Sequence, residues 1–173
     1  MRLFVAVKPD NKTLYALSVI QEQMKRQGVR GNYSPCSNLH ITLAFIGEYG
    51  DPAKVLDVMK TVRFSPFELS LHGTGNFNDL YFADIEISEN MKAYVSALRA
   101  AFDKAGIPYD RKKFTPHITL LRRAGKPVTR DIITVKNTRM TADRVYLMRS
   151  DRGENGMIYT PLGFAAKDET QAK

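Results

Sequence analysis

The chain has 173 residues, 43% of them hydrophobic and 25% charged, and its 26 lysines and arginines against 18 aspartates and glutamates leave a net charge of +8 at pH 7. That length suits one well-cored unit or two small lobes sharing a core, and the composition excludes a disordered chain. The basic surplus suggests a polyanionic partner but does not separate RNA from DNA or from a membrane surface. The single cysteine, Cys36, excludes an internal disulfide and a cysteine-rich metal site, and it reads as a small buried or half-buried thiol. No stretch approaches the roughly 18–20 apolar residues of a membrane span. The apolar run at residues 3–7 is too short for a signal-peptide core, so a cytoplasmic protein is expected.

In chain order, residues 2–8 form an apolar strand, and Pro9-Asp10-Asn11 breaks it and offers a helix cap. From Lys12 to Gln27 the positions Leu14, Leu17, Ile20 and Met24 recur at helical spacing, and Gly28 ends the run. Tyr33 to Pro35 reads as loop. Leu39 to Ile46 is β-branched and aromatic, a strand closed by Gly47. Asp51-Pro52 opens a second helix with Val55, Met59 and Val62 on one face. Residues 67–72 alternate as a strand and are followed by Gly73 and Gly75.

The second half repeats the pattern. Residues 80–87 read as a strand, and 89–105 as a helix with Met91, Tyr94, Val95, Leu98 and Phe102 on one side, stopped by Gly106-Ile107-Pro108. Ile118 to Leu121 is another strand and 131–135 a short segment of undefined type. Residues 144–149 and 157–165 are the last strands, and a frayed tail runs from Lys167 to Lys173.

An internal repeat underlies this order. Leu3-Phe4-Val5-Ala6 lies over Leu80-Tyr81-Phe82-Ala83, and His40-Ile41-Thr42-Leu43 recurs as His117-Ile118-Thr119-Leu120, both at a shift of 77 residues. With 12 threonines in the chain, two His-x-Thr occurrences among three histidines would arise by accident in roughly one or two chains per hundred. The shared neighbours and the common shift make accident rarer still. The expected architecture is α+β: one domain of two pseudo-symmetric lobes, repeat copies at about 2–47 and 79–122, with antiparallel sheets lining a central groove and helices outside.

Residues i and i+2 of a strand share a face, so His40 with Thr42, and His117 with Thr119, point away from the core that Ile41, Leu43, Ile118 and Leu120 enter. If a pseudo-twofold axis brings the two strands together, two imidazoles and two hydroxyls converge. One base and one acid with pKa values near 6.5 suit in-line displacement at phosphorus, with the hydroxyls as donors to phosphoryl oxygens. No metal or other cofactor is called for.

The two His-x-Thr motifs, with Arg2-Leu3-Phe4-Val5-Ala6, Asn38-Leu39-His40-Ile41-Thr42-Leu43-Ala44-Phe45-Ile46-Gly47-Glu48 and Phe114-Thr115-Pro116-His117-Ile118-Thr119-Leu120-Leu121-Arg122, resemble the 2H phosphoesterase superfamily. Within it they are similar to the RNA 2′,3′-cyclic phosphodiesterases, also known as 2′-5′ RNA ligases. The resemblance implies hydrolysis of a terminal 2′,3′-cyclic phosphate to a 2′-phosphate, with ligation through a 2′-5′ bond as the same chemistry in reverse. It implies His40 as proton donor, His117 as proton acceptor, and Thr42 and Thr119 as phosphate ligands. It further implies RNA 3′ ends or nucleoside 2′,3′-cyclic phosphates as substrates of a monomer that binds no membrane.

Strand period alone turns Arg122 away from His117; a strand end or bulge would bring it inward, and the resemblance favours a phosphate contact. Phe45 is a candidate for base stacking, as is Tyr33, which stands where the family often has a tryptophan; Phe4 and Tyr81 read better as core. His72 reads as structural. Arg111-Lys112-Lys113 either guides RNA to the groove or is a solvated surface run. Two other readings compete: a non-catalytic RNA-binding module that keeps the groove, and a metal site built from His40, His72 and His117.

Overall fold

This computed structural model of the chain describes residues 1–167. The chain runs β1 (Arg2–Val7), α1 (Asn11–Arg26), β2 (Asn32–Tyr33), β3 (Ile41–Glu48), α2 (Pro52–Thr61), β4 (Phe67–Phe77), β5 (Leu80–Ile87), α3 (Glu89–Ala105), β6 (His117–Arg122), β7 (Arg139–Ala142), β8 (Arg144–Gly153) and β9 (Gly156–Ala166). Single 3-10 turns lie at Cys36–Asn38 and Arg130–Ile132. Each helix starts where a short polar side chain takes up an otherwise unpaired backbone N–H: Asp10 accepts from Thr13, Asp51 from Lys54 and Ser88 from Met91. Gly106, at φ +67°, closes α3 in the left-handed conformation that only glycine adopts without strain.

The strands join edge to edge in the order β7-β4-β5-β6-β3-β1-β8-β9, with β2 added to β6, and every pairing is antiparallel. One face carries Leu3, Val5, Val7, Ile41, Leu43, Ile118 and Leu120. These pack in a single cluster with Leu17, Ile20 and Met24 of α1, Val55 and Met59 of α2, and Leu98 and Phe102 of α3. The opposite face keeps only a small apolar cluster, Phe4, Ala6 and Met148, with Phe45, Tyr146 and Tyr159 beside it. The α+β class, the antiparallel pairing and the helices on the outside agree with the sequence reading. The two expected sheets are one continuous sheet whose halves meet at β3 and β6.

That junction rests on one residue pair, Ile41 opposite Ile118, both fully buried. Burying each side chain stabilises by about 1.5–3 kcal/mol, and a one-residue slip of either strand would turn its own isoleucine to the opposite face, so the register is strongly specified.

Both halves carry the same irregularity. Opposite β1, the partners of Val5 and Ala6 are Ala44 and Thr42; opposite β5, the partners of Tyr81 and Phe82 are Leu121 and Thr119. One extra residue, Leu43 in β3 and Leu120 in β6, therefore bulges inward, and these positions are themselves related by the 77-residue shift. Leu120 and Leu121 are both fully buried, and Leu43 and Ala44 nearly so. The bulges make Phe45 and Arg122 follow Thr42 and Thr119 onto the groove face. Period 2 alone would have put each on the other side.

A buried glutamine that the helical pattern did not single out serves the second bulge. Gln21 Nε2 donates to the carbonyl oxygens of Leu120 and Ser34, at 3.0 and 2.9 Å. It thereby couples α1 to the bulge and to the segment after β2.

Other expectations are corrected. Tyr33 is in a short strand, since hydrogen bonding to β6 extends a two-residue segment too brief to show a period. Gly47 does not close its strand: β3 runs on to Glu48 with Gly47 at φ +81°. β4 likewise continues through Gly73 and Gly75 to Phe77. The segment 131–135 holds a 3-10 turn, and β7 at 139–142 had no apolar alternation long enough to announce it. Ladder positions also shift one repeat alignment: Ala6 lies opposite Thr42 and Phe82 opposite Thr119, so β1 maps onto β5 at 76 residues. Cys36 is exposed at its turn, and His72 is a surface residue 3.9 Å from Glu86, 69% exposed at its side chain. The expected tail beyond Lys167 lies outside the described residues, and among those residues no helix is long and apolar enough to cross a membrane.

The role of Gln21 is testable. Replacing it with methionine keeps the volume and removes both donated bonds, leaving buried carbonyls underpaired. The expected cost is about 1–3 kcal/mol, measured by chemical denaturation; a loss below a few tenths would show that the Leu120 bulge holds without it.

Candidate active site

The antiparallel pair Ile41–Ile118 dictates what surrounds it. Moving one residue along each strand in opposite directions places Thr42 across from His117 and His40 across from Thr119. The four groups form a square on the groove face. Facing pairs in such a ladder stand about 4.5–5.5 Å apart and diagonal ones about 7–8 Å, so the two imidazoles sit on a diagonal wide enough to take a phosphoryl group between them.

Both rings are held the same way. The Nδ1–H of His40 donates to the Asn38 carbonyl at 2.7 Å, and that of His117 donates to the Thr115 carbonyl at 2.7 Å. A carbonyl only accepts, so Nδ1 bears the proton in each ring and Nε2 is the nitrogen left for chemistry. The two carbonyls are again 77 residues apart. In the neutral ring, His40 Nε2 accepts from the Thr42 hydroxyl at 3.1 Å.

Aromatic rings wall each histidine. Phe4 lies 4.9 Å from the His40 ring and Tyr159 5.1 Å, edge-on. Phe82 lies 5.1 Å from the His117 ring and Phe77 5.7 Å. These rings pack beside the half-buried imidazoles. Sequence reading missed Tyr159, Phe77 and Phe82. Phe82 was within reach through its ladder position opposite Thr119. Tyr159 comes from the β8–β9 hairpin, which Asn38 Nδ2 ties down by donating to the Met157 carbonyl at 2.7 Å, and nothing in the motifs announces it.

Arg122 projects into the groove and lines its cavity with His40, Thr119, Tyr33 and Tyr159. Among the described residues no carboxylate pairs with it, so an uncompensated cation stands beside the square. Burial pushes the His40 imidazole below its ordinary value of 6.5, and the charges of Arg122 and His117 push the same way against its hydrogen bond to Asn38. The neutral form of the His40 imidazole is thereby favoured.

The stacking candidates divide. Phe45 lines the groove along with Thr42 and His117, with the Arg2 guanidinium 5.0 Å from its ring. Tyr33 lines the cavity on the His40 side, its hydroxyl donating to the Val29 carbonyl at 2.9 Å. Phe4 is buried against His40, and Tyr81 is core, with its hydroxyl accepting from the Val128 N–H. His72 is not among the residues lining the groove, and among the described residues no cluster of three metal-ligating side chains occurs.

The fold that carries this groove has known counterparts. The chain belongs to the 2′-5′ RNA ligase superfamily, whose sequence pattern matches residues 19–154. A Methanothermobacter thermautotrophicus protein named RNA 2′,3′-cyclic phosphodiesterase is 30% identical over 180 residues, covering 94% of this chain and 96% of its own. A Thermus thermophilus protein of the same name is 32% identical over 178 residues, covering 94% and 88%. Among solved structures, one from Thermus thermophilus superposes with a TM-score of 0.79 at 28% identity, covering 96% and 97% of the two chains. Escherichia coli LigT, complexed with 3′-AMP, shares the fold at a TM-score of 0.74 and 24% identity, covering 97% and 98%.

Replacing Arg122 with glutamine removes one of the charges that disfavour the His40 cation. The His40 resonances should then titrate at a higher pH than in the unmodified protein, as read by NMR; an unchanged midpoint would mean that Arg122 points away from the ring in solution.

Proposed function

We propose that this protein is a metal-independent RNA 2′,3′-cyclic phosphodiesterase that opens a terminal cyclic phosphate to a 2′-phosphate. The observation that carries the reading is the diagonal pair of imidazoles, each with Nδ1 held by a backbone carbonyl and Nε2 facing the groove. Full-length relatives at 30 and 32% identity that bear the name of this activity support it.

In the proposed reaction His117 Nε2 takes a proton from water, the water oxygen bonds to phosphorus, the bond from phosphorus to the 3′ oxygen breaks, and His40 Nε2–H gives its proton to that leaving oxygen. The phosphate stays on the 2′ oxygen. Thr42, Thr119 and Arg122 hold the non-bridging oxygens, a charge-assisted donor and two hydroxyls aimed where negative charge collects. Phe45 and Tyr33 are the surfaces on which a base would stack. Attack by a 5′-hydroxyl in place of water gives a 2′-5′ linkage by the same proton transfers.

The neutral form of His40 is favoured, so the donor must be loaded. An anionic phosphodiester entering beside it offsets the repulsion from Arg122 and raises its affinity for a proton. Substrate binding is thus coupled to proton uptake at His40. Only the cationic form donates, so kcat/KM should fall on the alkaline side from a pKa below 6.5, and the same limb of kcat should lie at higher pH. Coincident limbs would remove the coupling.

His40→Ala and His117→Ala should each lower turnover of RNA ending in a 2′,3′-cyclic phosphate by at least about 10²-fold. Product analysis should show phosphate on the 2′ oxygen, and EDTA should leave the rate unchanged. Near-normal hydrolysis by either variant would overturn the acid–base pair. Binding of such RNA without turnover would instead favour a non-catalytic module.

A further inference from the structure

The two sides of the square differ in chemistry. On the His40 side one cavity is uncharged beyond Arg122 and rich in amides and hydroxyls, with Asn32, Ser34, Asn38 and Asn155 beside Tyr33 and Tyr159, and the cavity next to it adds the single charge of Arg2. On the His117 side a second cavity of about 260 Å³ is walled by Phe45 and Phe77 and carries Arg99, Lys112, Lys113 and Asp110. The repeat does not explain the difference: the 77-residue shift carries Lys112 and Lys113 onto Pro35 and Cys36.

The basic loop is fixed in place. Asp110 N–H donates to the Phe45 carbonyl at 2.7 Å, tying the loop to β3, and Arg99 Nη1 donates to the Lys112 carbonyl at 3.1 Å, tying it to α3. Arg111 is engaged by Asp103 at 2.6 Å and by the Tyr109 ring and hydroxyl, outside the groove. Lys112 is partly offset by Asp110, whose carboxylate accepts from Lys112 N–H at 3.0 Å and stands 3.7 Å from its ammonium. Among the described residues Lys113 has no carboxylate partner. Two exposed lysines on a loop whose backbone is tied down line, with Phe45 and Phe77, a cavity that continues to Thr42 and His117. Cations beside aromatic walls along the groove match a nucleic-acid backbone phosphate and its adjoining base.

We propose that Lys112 and Lys113 form a subsite for a second RNA phosphate, making the substrate an RNA strand end in preference to a free cyclic mononucleotide. This rests on the phosphodiesterase reading and adds to it the residues that would engage the strand beyond its terminal phosphate. The scissile phosphate is served by the square and Arg122, beside which Arg2 also lines the groove; the lysines serve the next phosphate of a strand. The subsite therefore lowers KM for oligonucleotides and leaves the chemical step untouched.

The test compares uridine 2′,3′-cyclic phosphate with a short oligouridylate ending in the same group, across the unmodified protein, Lys112→Ala/Lys113→Ala and Lys112→Arg/Lys113→Arg. The unmodified protein should favour the oligonucleotide in kcat/KM. The alanine pair should lose about tenfold or more of that preference through KM, with a salt dependence shallower by about 0.7 in log–log slope for each phosphate no longer neutralised. Its rate on the mononucleotide should be unchanged, and the arginine pair should keep the preference. No preference in the unmodified protein, or an equal loss on both substrates, would overturn the subsite. No hydrolysis of either substrate by the unmodified protein would instead overturn the phosphodiesterase reading beneath it.

Discussion

The molecule turns on one antiparallel contact, the buried pair Ile41–Ile118 that joins β3 to β6. Each isoleucine is driven into the helix-covered core, and in a pleated strand that commitment sends its neighbours the other way. Because the strands are antiparallel, each histidine faces the other motif's threonine, and the imidazoles fall on a diagonal. A polar square on one face is thus a direct consequence of apolar burial on the other. The duplicated sequence allows one core contact to orient both histidines.

Around that contact the fold departs from regular pleating at two matched places. The bulges at Leu43 and Leu120 cost each ladder a regular hydrogen-bond step and bring Phe45 and Arg122 onto the groove face. The symmetric backbone then carries different chemistry in its two copies: an aromatic ring near His117 and a guanidinium near His40. This asymmetry bears on the proposed division of labour, since the Arg122 charge beside the square also disfavours the His40 cation.

The wider electrostatics follow the same logic. Several cations near the surface are tied to carboxylates, as Arg111 is to Asp103 and Arg144 to Asp143, and exposed pairs of that kind contribute little to stability. The cations facing the groove differ: Arg122 and Lys113 have no carboxylate partner among the described residues. A surplus of +8 is thus less informative than where its uncompensated members stand. In this molecule they flank the square on both sides, which is the arrangement a polyanionic strand end needs.

Much of the molecule was legible in the sequence. Helical spacing located all three helices within a residue or so, and the repeated His-Ile-Thr-Leu defined two strands, their buried faces and the four polar groups opposite. These are properties of local periodicity, carried within a few residues of chain. Other features depended on contacts distant in sequence. β2 exists because β6 offers it an edge, Gln21 matters because Leu120 bulges toward it, and Tyr159 reaches His40 only through the folding back of the last hairpin. Cys36 reads from residue-type habit as a buried or half-buried thiol and lies exposed, in a short turn with no buried residue. The chain by itself determined which residues share a face and that the motif is doubled, since strand period is local. Only tertiary structure decided that the square assembles across β3 and β6, that Arg122 turns into it, and that the two sides of the groove differ in charge, because register, bulges and loop anchoring are set by partners far away in the chain.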